Sequence, residues 1–72
     1  MEYWALDFVN EEECEPVYGD QLYATREEAE AAAQATGRPE LFDITMYRYI
    51  DLLGLYNTDA VSVDGELKVR WM

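Results

Sequence analysis

The sequence predicts a small α+β domain, residues 1–72 as one unit, with elements in the order ββααββ. Three observations carry that prediction. Apolar residues alternate at both ends of the chain, helical spacing with capping residues occupies the middle, and turn residues separate the blocks. The expected architecture is an antiparallel sheet of about four strands with two helices packed on one face. Seventy-two residues leave no room for a second core.

"EYWALDFV", residues 2–9, alternates with Trp4, Leu6 and Phe8 on one face and Tyr3, Ala5 and Asp7 on the other. Its aromatic content predicts a strand with one buried side. A second strand is expected in "VYGDQLYA", around Val17–Tyr18 and Leu22–Tyr23, with a bulge or tight bend at Gly19-Asp20. The two would form a hairpin whose tip is "NEEECEP", residues 10–16.

"TREEAEAAAQATG" is the clearest helix. Thr25 and Glu28 have capping-box spacing, and Glu27 and Glu28 sit where the positive end of the helix dipole favours them. Ala29, Ala32, Ala33 and Thr36 share a face, and Gly37 fits the left-handed position that ends a helix. A second helix is expected from near Pro39 to Gly54, because Phe42, Met46, Tyr49, Ile50 and Leu53 form a helical stripe. Alternation of Ile44, Met46, Arg48 and Ile50 opposes it, but the Pro and Gly brackets favour the helix, with an extended start at Leu41–Asp43 and a cap at Asp43 or Thr45. The chain closes with a hairpin, "AVSVDGELKVRW". A two-residue Asp64-Gly65 turn would set Val61 opposite Lys68 and Val63 opposite Glu66. A three-residue loop puts Val61 and Val63 on the face of Leu67, Val69 and Trp71, so the hydrophobic pattern selects the longer loop.

Composition narrows the function. The chain is 50% hydrophobic, too rich for a disordered acidic tail. Sixteen acids against five bases give a net charge of −11. That balance excludes direct binding to nucleic acid or anionic lipid, which needs clustered Lys and Arg, and it favours cationic partners. No basic leader and no apolar run of membrane-spanning length occurs, so a soluble, cytoplasmic protein is expected.

Enzymatic and metal chemistry are not expected, and neither is a cofactor. The lone Cys14 stands among four glutamates, which disfavour its thiolate, and the chain has no histidine to act as base. The "NEEECEP" run lacks calcium-loop spacing, and zinc would want further Cys or His ligands. Ser62 is the sole serine and has no base.

The remaining candidate is a surface for a partner. Glu11, Glu12, Glu13, Glu15 and Asp20 gather at the first hairpin, and Glu27, Glu28 and Glu30 begin the helix that follows it. On one side of the fold they would form a continuous anionic patch imitating a phosphate track. Tyr18 and Tyr23 add amphipathic contact area, as Tyr47 and Tyr56 would nearby. Short, strongly acidic, tyrosine-rich α+β chains of this kind are similar to phage-encoded inhibitors of host defence, among them anti-CRISPR and anti-restriction proteins and inhibitors of DNA repair glycosylases. That resemblance lies in size and composition over the whole chain, and no aligned residue carries over. It implies a non-enzymatic inhibitor, acting in the host cell, that binds a basic, nucleic-acid-handling protein. The alternative is an interaction or dimerisation module using Trp71, Met72, Leu55 and Tyr56, with the acids only keeping the protein in solution.

Overall fold

The computed structural model describes residues 2–10, 17–55 and 57–72. Five strands, β1 (Glu2–Phe8), β2 (Gln21–Leu22), β3 (Phe42–Arg48), β4 (Thr58–Val63) and β5 (Glu66–Trp71), combine with two helices, α1 (Arg26–Ala35) and α2 (Tyr49–Leu55). The order is β-β-α-β-α-β-β, and the strands form two antiparallel sheets: a β1–β3 ribbon and a β2–β5–β4 sheet. One pair of hydrogen bonds between Trp4 and Tyr23 (2.8 and 2.7 Å) joins the two sheets. The α+β class is as expected; the ββααββ order and the single sheet of about four strands are not.

The largest departure is at residues 39–55. In place of one long helix, Pro39–Leu41 makes a 3₁₀ turn, Phe42–Arg48 runs as a strand, and only Tyr49–Leu55 is helical. The alternation outweighed the helical stripe because β1 requires a partner. All seven β1 residues pair with β3, from Glu2 opposite Arg48 to Phe8 opposite Phe42. β-Branched Ile44 and Thr45 fit a pleated surface. Nor does β1 have one buried side: Tyr3, Ala5 and Leu6 are all buried. The ribbon is therefore an inner layer. On one face Trp4, Leu6, Phe42 and Ile44 pack on Ala29 and Ala33 of α1; on the other, Tyr3, Ala5 and Tyr47 meet Val17, Leu22, Leu52 and Val69. Because α1 and α2 enter different clusters, the expectation that both helices share a face also fails.

The first hairpin is largely replaced too. β1 gives its full length to β3 and touches the β2 segment only through Trp4 and Tyr23, while Gln21 and Leu22 pair with Lys68 and Leu67 of β5. Gly19-Asp20 does form a tight bend, a 3₁₀ turn over Tyr18–Asp20. It is anchored by Asp7, whose carboxylate accepts the Val17 N–H at 2.9 Å and the Tyr47 hydroxyl.

The closing hairpin takes the two-residue turn. Val63 lies opposite Glu66 and Val61 opposite Lys68, and Asp64 and Gly65 have φ of 52° and 83°. Two positive φ angles match the twist of the strands and suit Asp-Gly. The inward face of β4 is Thr58 and Ala60 rather than the two valines. Thr58 is fully buried because its hydroxyl donates to the Leu52 carbonyl at 3.2 Å. Open space surrounds Gly65, so alanine there meets only the left-handed backbone penalty. Gly65→Ala should cost about 1–2 kcal/mol, read as a lower urea midpoint. Asp64→Asn should leave that midpoint within about 0.5 kcal/mol. An unchanged midpoint for Gly65→Ala would contradict this turn.

Candidate functional site

The start of α1 organises the acids that the structure describes. Thr25 caps it in extended conformation, its Oγ1 accepting the Glu28 N–H at 3.2 Å. The Glu28 carboxylate returns to the Ala24 N–H at 3.1 Å, one residue before the cap, so the box is closed a residue earlier than its usual form. Gly37 ends the helix with φ 80° and donates to the Gln34 carbonyl at 3.0 Å.

At roughly 100° of rotation per residue, the three helix acids take three directions around the buried Ala29–Ala33 stripe. Glu30 lies on one flank, where it accepts from Arg26 at 2.9 Å; the Arg26 guanidinium sits 5.8 Å above the Trp4 ring. Glu27 is exposed on the side away from the sheet. Glu28 lies on the other flank, beside Ala31, and faces a groove.

That groove, of about 470 Å³, separates α1 from the closing hairpin and is floored by the β2 segment. Leu22, Ala24, Ala31 and Leu67 supply apolar wall, Glu28 stands on the helix side, and Glu66 on the hairpin side. Tyr23 lines it as well, half-buried between Trp4 and the groove. Burial first, then the negative charge of Glu66 and the neighbouring Tyr18, raise the Tyr23 phenol above its ordinary pKa. Its hydroxyl therefore stays protonated, a donor as well as an acceptor, throughout the physiological range.

Tyr18 and Tyr23, both expected on the surface, lie on the α1 side of the ribbon. Tyr18 is 40% exposed, and its ring packs edge-on against Phe8 (5.4 Å between centroids) and tilted against Phe42 (4.8 Å). Asp20 is exposed, and its carboxylate accepts the Trp71 indole N–H at 2.6 Å. That bond links residues assigned from the sequence to rival surfaces. Trp71 is 47% exposed, and Met72 is tied to Asn57 through backbone and side-chain hydrogen bonds. Glu11, Glu12, Glu13, Cys14 and Glu15 of "NEEECEP", and Tyr56, lie outside the described residues. Tyr47 is no surface contact: it is buried in the core.

Sequence reasoning missed two groups of acids. Glu66 joins Glu28 and Tyr23 only because the closing hairpin folds over β2, a juxtaposition no local motif signals. Asp7 and Asp43 are register partners at one end of the ribbon, with Glu40 in the turn before β3. Reading residues 42–48 as alternating would have placed Asp43 there. Both Asn10 and Val17, the residues flanking the four glutamates of the first loop, lie at this same end: Val9 N–H donates to the Leu41 carbonyl, and Val17 N–H to Asp7.

Cations do little to offset these acids. Among the described residues, Arg26, Arg48, Lys68 and Arg70 form ion pairs with Glu30, Asp51, Glu66 and Asp59. Asp51 also accepts the Arg48 backbone N–H, and these bonds hold its carboxyl below the ordinary range. Glu2, Glu27, Glu40, Asp43 and Asp64 are exposed with no ion pair among the described residues. No helix among the described residues is long and apolar enough to cross a membrane. Neither a family model, nor a curated protein, nor a solved structure matches the chain.

Proposed function

We propose that this protein is a non-enzymatic inhibitor that binds a basic, nucleic-acid-handling protein through its acidic surface. The observation that carries the reading is the net charge of −11 on 72 residues that nonetheless build a packed core. Charge of one sign on so small a body destabilises it through self-repulsion and attracts cationic surfaces. Two local features support the same conclusion. Exposed acids occur at the ribbon end with Asp43 and Glu40, and around α1, with four of the five basic side chains already engaged by other acids. Tyrosines stand beside them: Tyr18 at the ribbon end and Tyr23 at the groove. A partner that grips a phosphate backbone with Lys and Arg meets comparable charge here and loses its nucleic-acid contacts.

Tagged protein incubated with host lysate at low salt should capture a basic protein identifiable by mass spectrometry. It should release that protein as salt rises and the screening length falls below about 8 Å. Added to the captured protein's complex with DNA or RNA, the chain should displace the nucleic acid. Capture of only neutral or acidic proteins, or binding indifferent to salt, would rule the reading out.

A further inference from the structure

The groove between α1 and the closing hairpin is neither a plain apolar cleft nor a bare cluster of acids. Its walls are Leu22, Leu67, Ala24 and Ala31, while Glu28 and Glu66 stand on its two opposite sides. At about 470 Å³ it falls within the usual range for ligand clefts, roughly 300–1,000 Å³. An occupant must therefore bring an apolar stem and a positive head with donors on more than one side. We propose that this groove takes an arginine side chain of the partner protein, the stem against the leucine and alanine wall and the guanidinium between Glu28 and Glu66. This assignment rests on the inhibitor reading above and specifies where on the acidic surface the partner is gripped.

Arginine fits better than lysine on chemical grounds. Its planar head carries five donors in a fixed fork, is weakly hydrated, and meets carboxylates on two walls at once, whereas an ammonium is a compact, strongly hydrated point charge. Both carboxylates retain capacity to accept. Glu28 uses Oε2 for the Ala24 N–H, and among the described residues its other oxygen makes no hydrogen bond. The Glu66 partner is Lys68, 3.4 Å away in an exposed pair of the kind that contributes little and exchanges readily. Tyr23 adds a phenol that the nearby Glu66 charge helps keep protonated, so its oxygen can also accept from the guanidinium.

The test uses the isotopically labelled full chain at low salt and a blocked arginine peptide, with lysine and citrulline peptides as comparisons. Saturable amide shifts are expected at Gln21, Leu22, Tyr23, Ala24, Ala31 and residues 65–67, strongest for arginine and absent for uncharged citrulline. Glu28→Gln with Glu66→Gln should weaken arginine binding about tenfold, the size of one lost charge-assisted contact. Glutamine keeps the capping role at position 28, and Glu27→Gln with Glu30→Gln should leave the affinity unchanged. Should the double groove variant lose its circular dichroism signal, Glu66→Gln alone, at an exposed strand position, carries the test. Shifts scattered over all acids, or binding that survives loss of Glu66, would overturn the assignment. Lysate capture separates the two readings. If salt-sensitive capture persists undiminished in the groove variant, only the arginine site falls. If the peptide saturates the groove but no basic protein is captured, the inhibitor reading falls and the groove stands.

Discussion

Replacing Leu52 by alanine should unfold most of the protein at 25 °C. Leu52 is 0% exposed and is the residue through which α2 enters the core cluster of Tyr3, Ala5, Val17, Leu22, Tyr47 and Val69. Truncating a buried leucine costs about 2–5 kcal/mol, the transfer free energy of the lost carbons plus the cavity they leave. A core in a chain of this length supplies about 3–5 kcal/mol in total. The loss is therefore comparable with everything available. Self-repulsion at net −11 lowers the margin further at low salt. The control is two residues away. Ile50 is 69% exposed, and Ile50→Ala should shift the urea midpoint by no more than about 0.5 kcal/mol. If both substitutions cost the same, α2 does not pack as described. Were residues 39–54 one long helix, Ile50 would lie in its apolar stripe and its truncation would be costly, so the pair also discriminates between the two readings of that segment.

That segment shows where local pattern is ambiguous. Phe42, Met46, Tyr49, Ile50 and Leu53 satisfy helical spacing, and Ile44, Met46, Arg48 and Ile50 satisfy strand spacing. Neither period is decisive over so few residues. What decides is non-local: β1 is apolar on both faces and needs a neighbour along its whole length, and only residues 42–48 supply one. The same logic governs the closing hairpin. Turn chemistry at Asp64-Gly65 was legible and correct in its simplest form. The valines misled because the true inward residues, Thr58 and Ala60, look weakly hydrophobic, and Thr58 is buried only by virtue of its bond to the Leu52 carbonyl. By contrast α1, its Thr25 cap and its Gly37 end follow from local chemistry alone, and the structure has all three. The groove divides in the same way. Glu28 was legible through its capping role, while Glu66, 38 positions later in the sequence, arrives through β2–β5 pairing that the sequence pattern left unassigned.

Neutralising Glu11, Glu12, Glu13 and Glu15 together with glutamine should leave the fold intact and weaken the captured partner by about five- to a thousandfold at low salt. An exposed ion pair contributes about 0.2–1 kcal/mol, so four such pairs give roughly 1–4 kcal/mol, and each 1.4 kcal/mol is about a factor of ten. The loss should appear mainly as slower association, because exposed charges steer the encounter more than they lock the complex. It should also shrink as salt rises, with wild type and variant converging once screening removes the long-range attraction. Stability should move the other way. Removing four negative charges from a chain at −11 relieves self-repulsion, so the variant's urea midpoint should equal or exceed that of wild type at low salt. Opposite signs on binding and stability are the signature of acids retained for a partner at the expense of the fold. If affinity, association rate and salt dependence all match wild type, these four glutamates serve solubility alone, and any partner must be held by the acids around α1, the groove and the ribbon end.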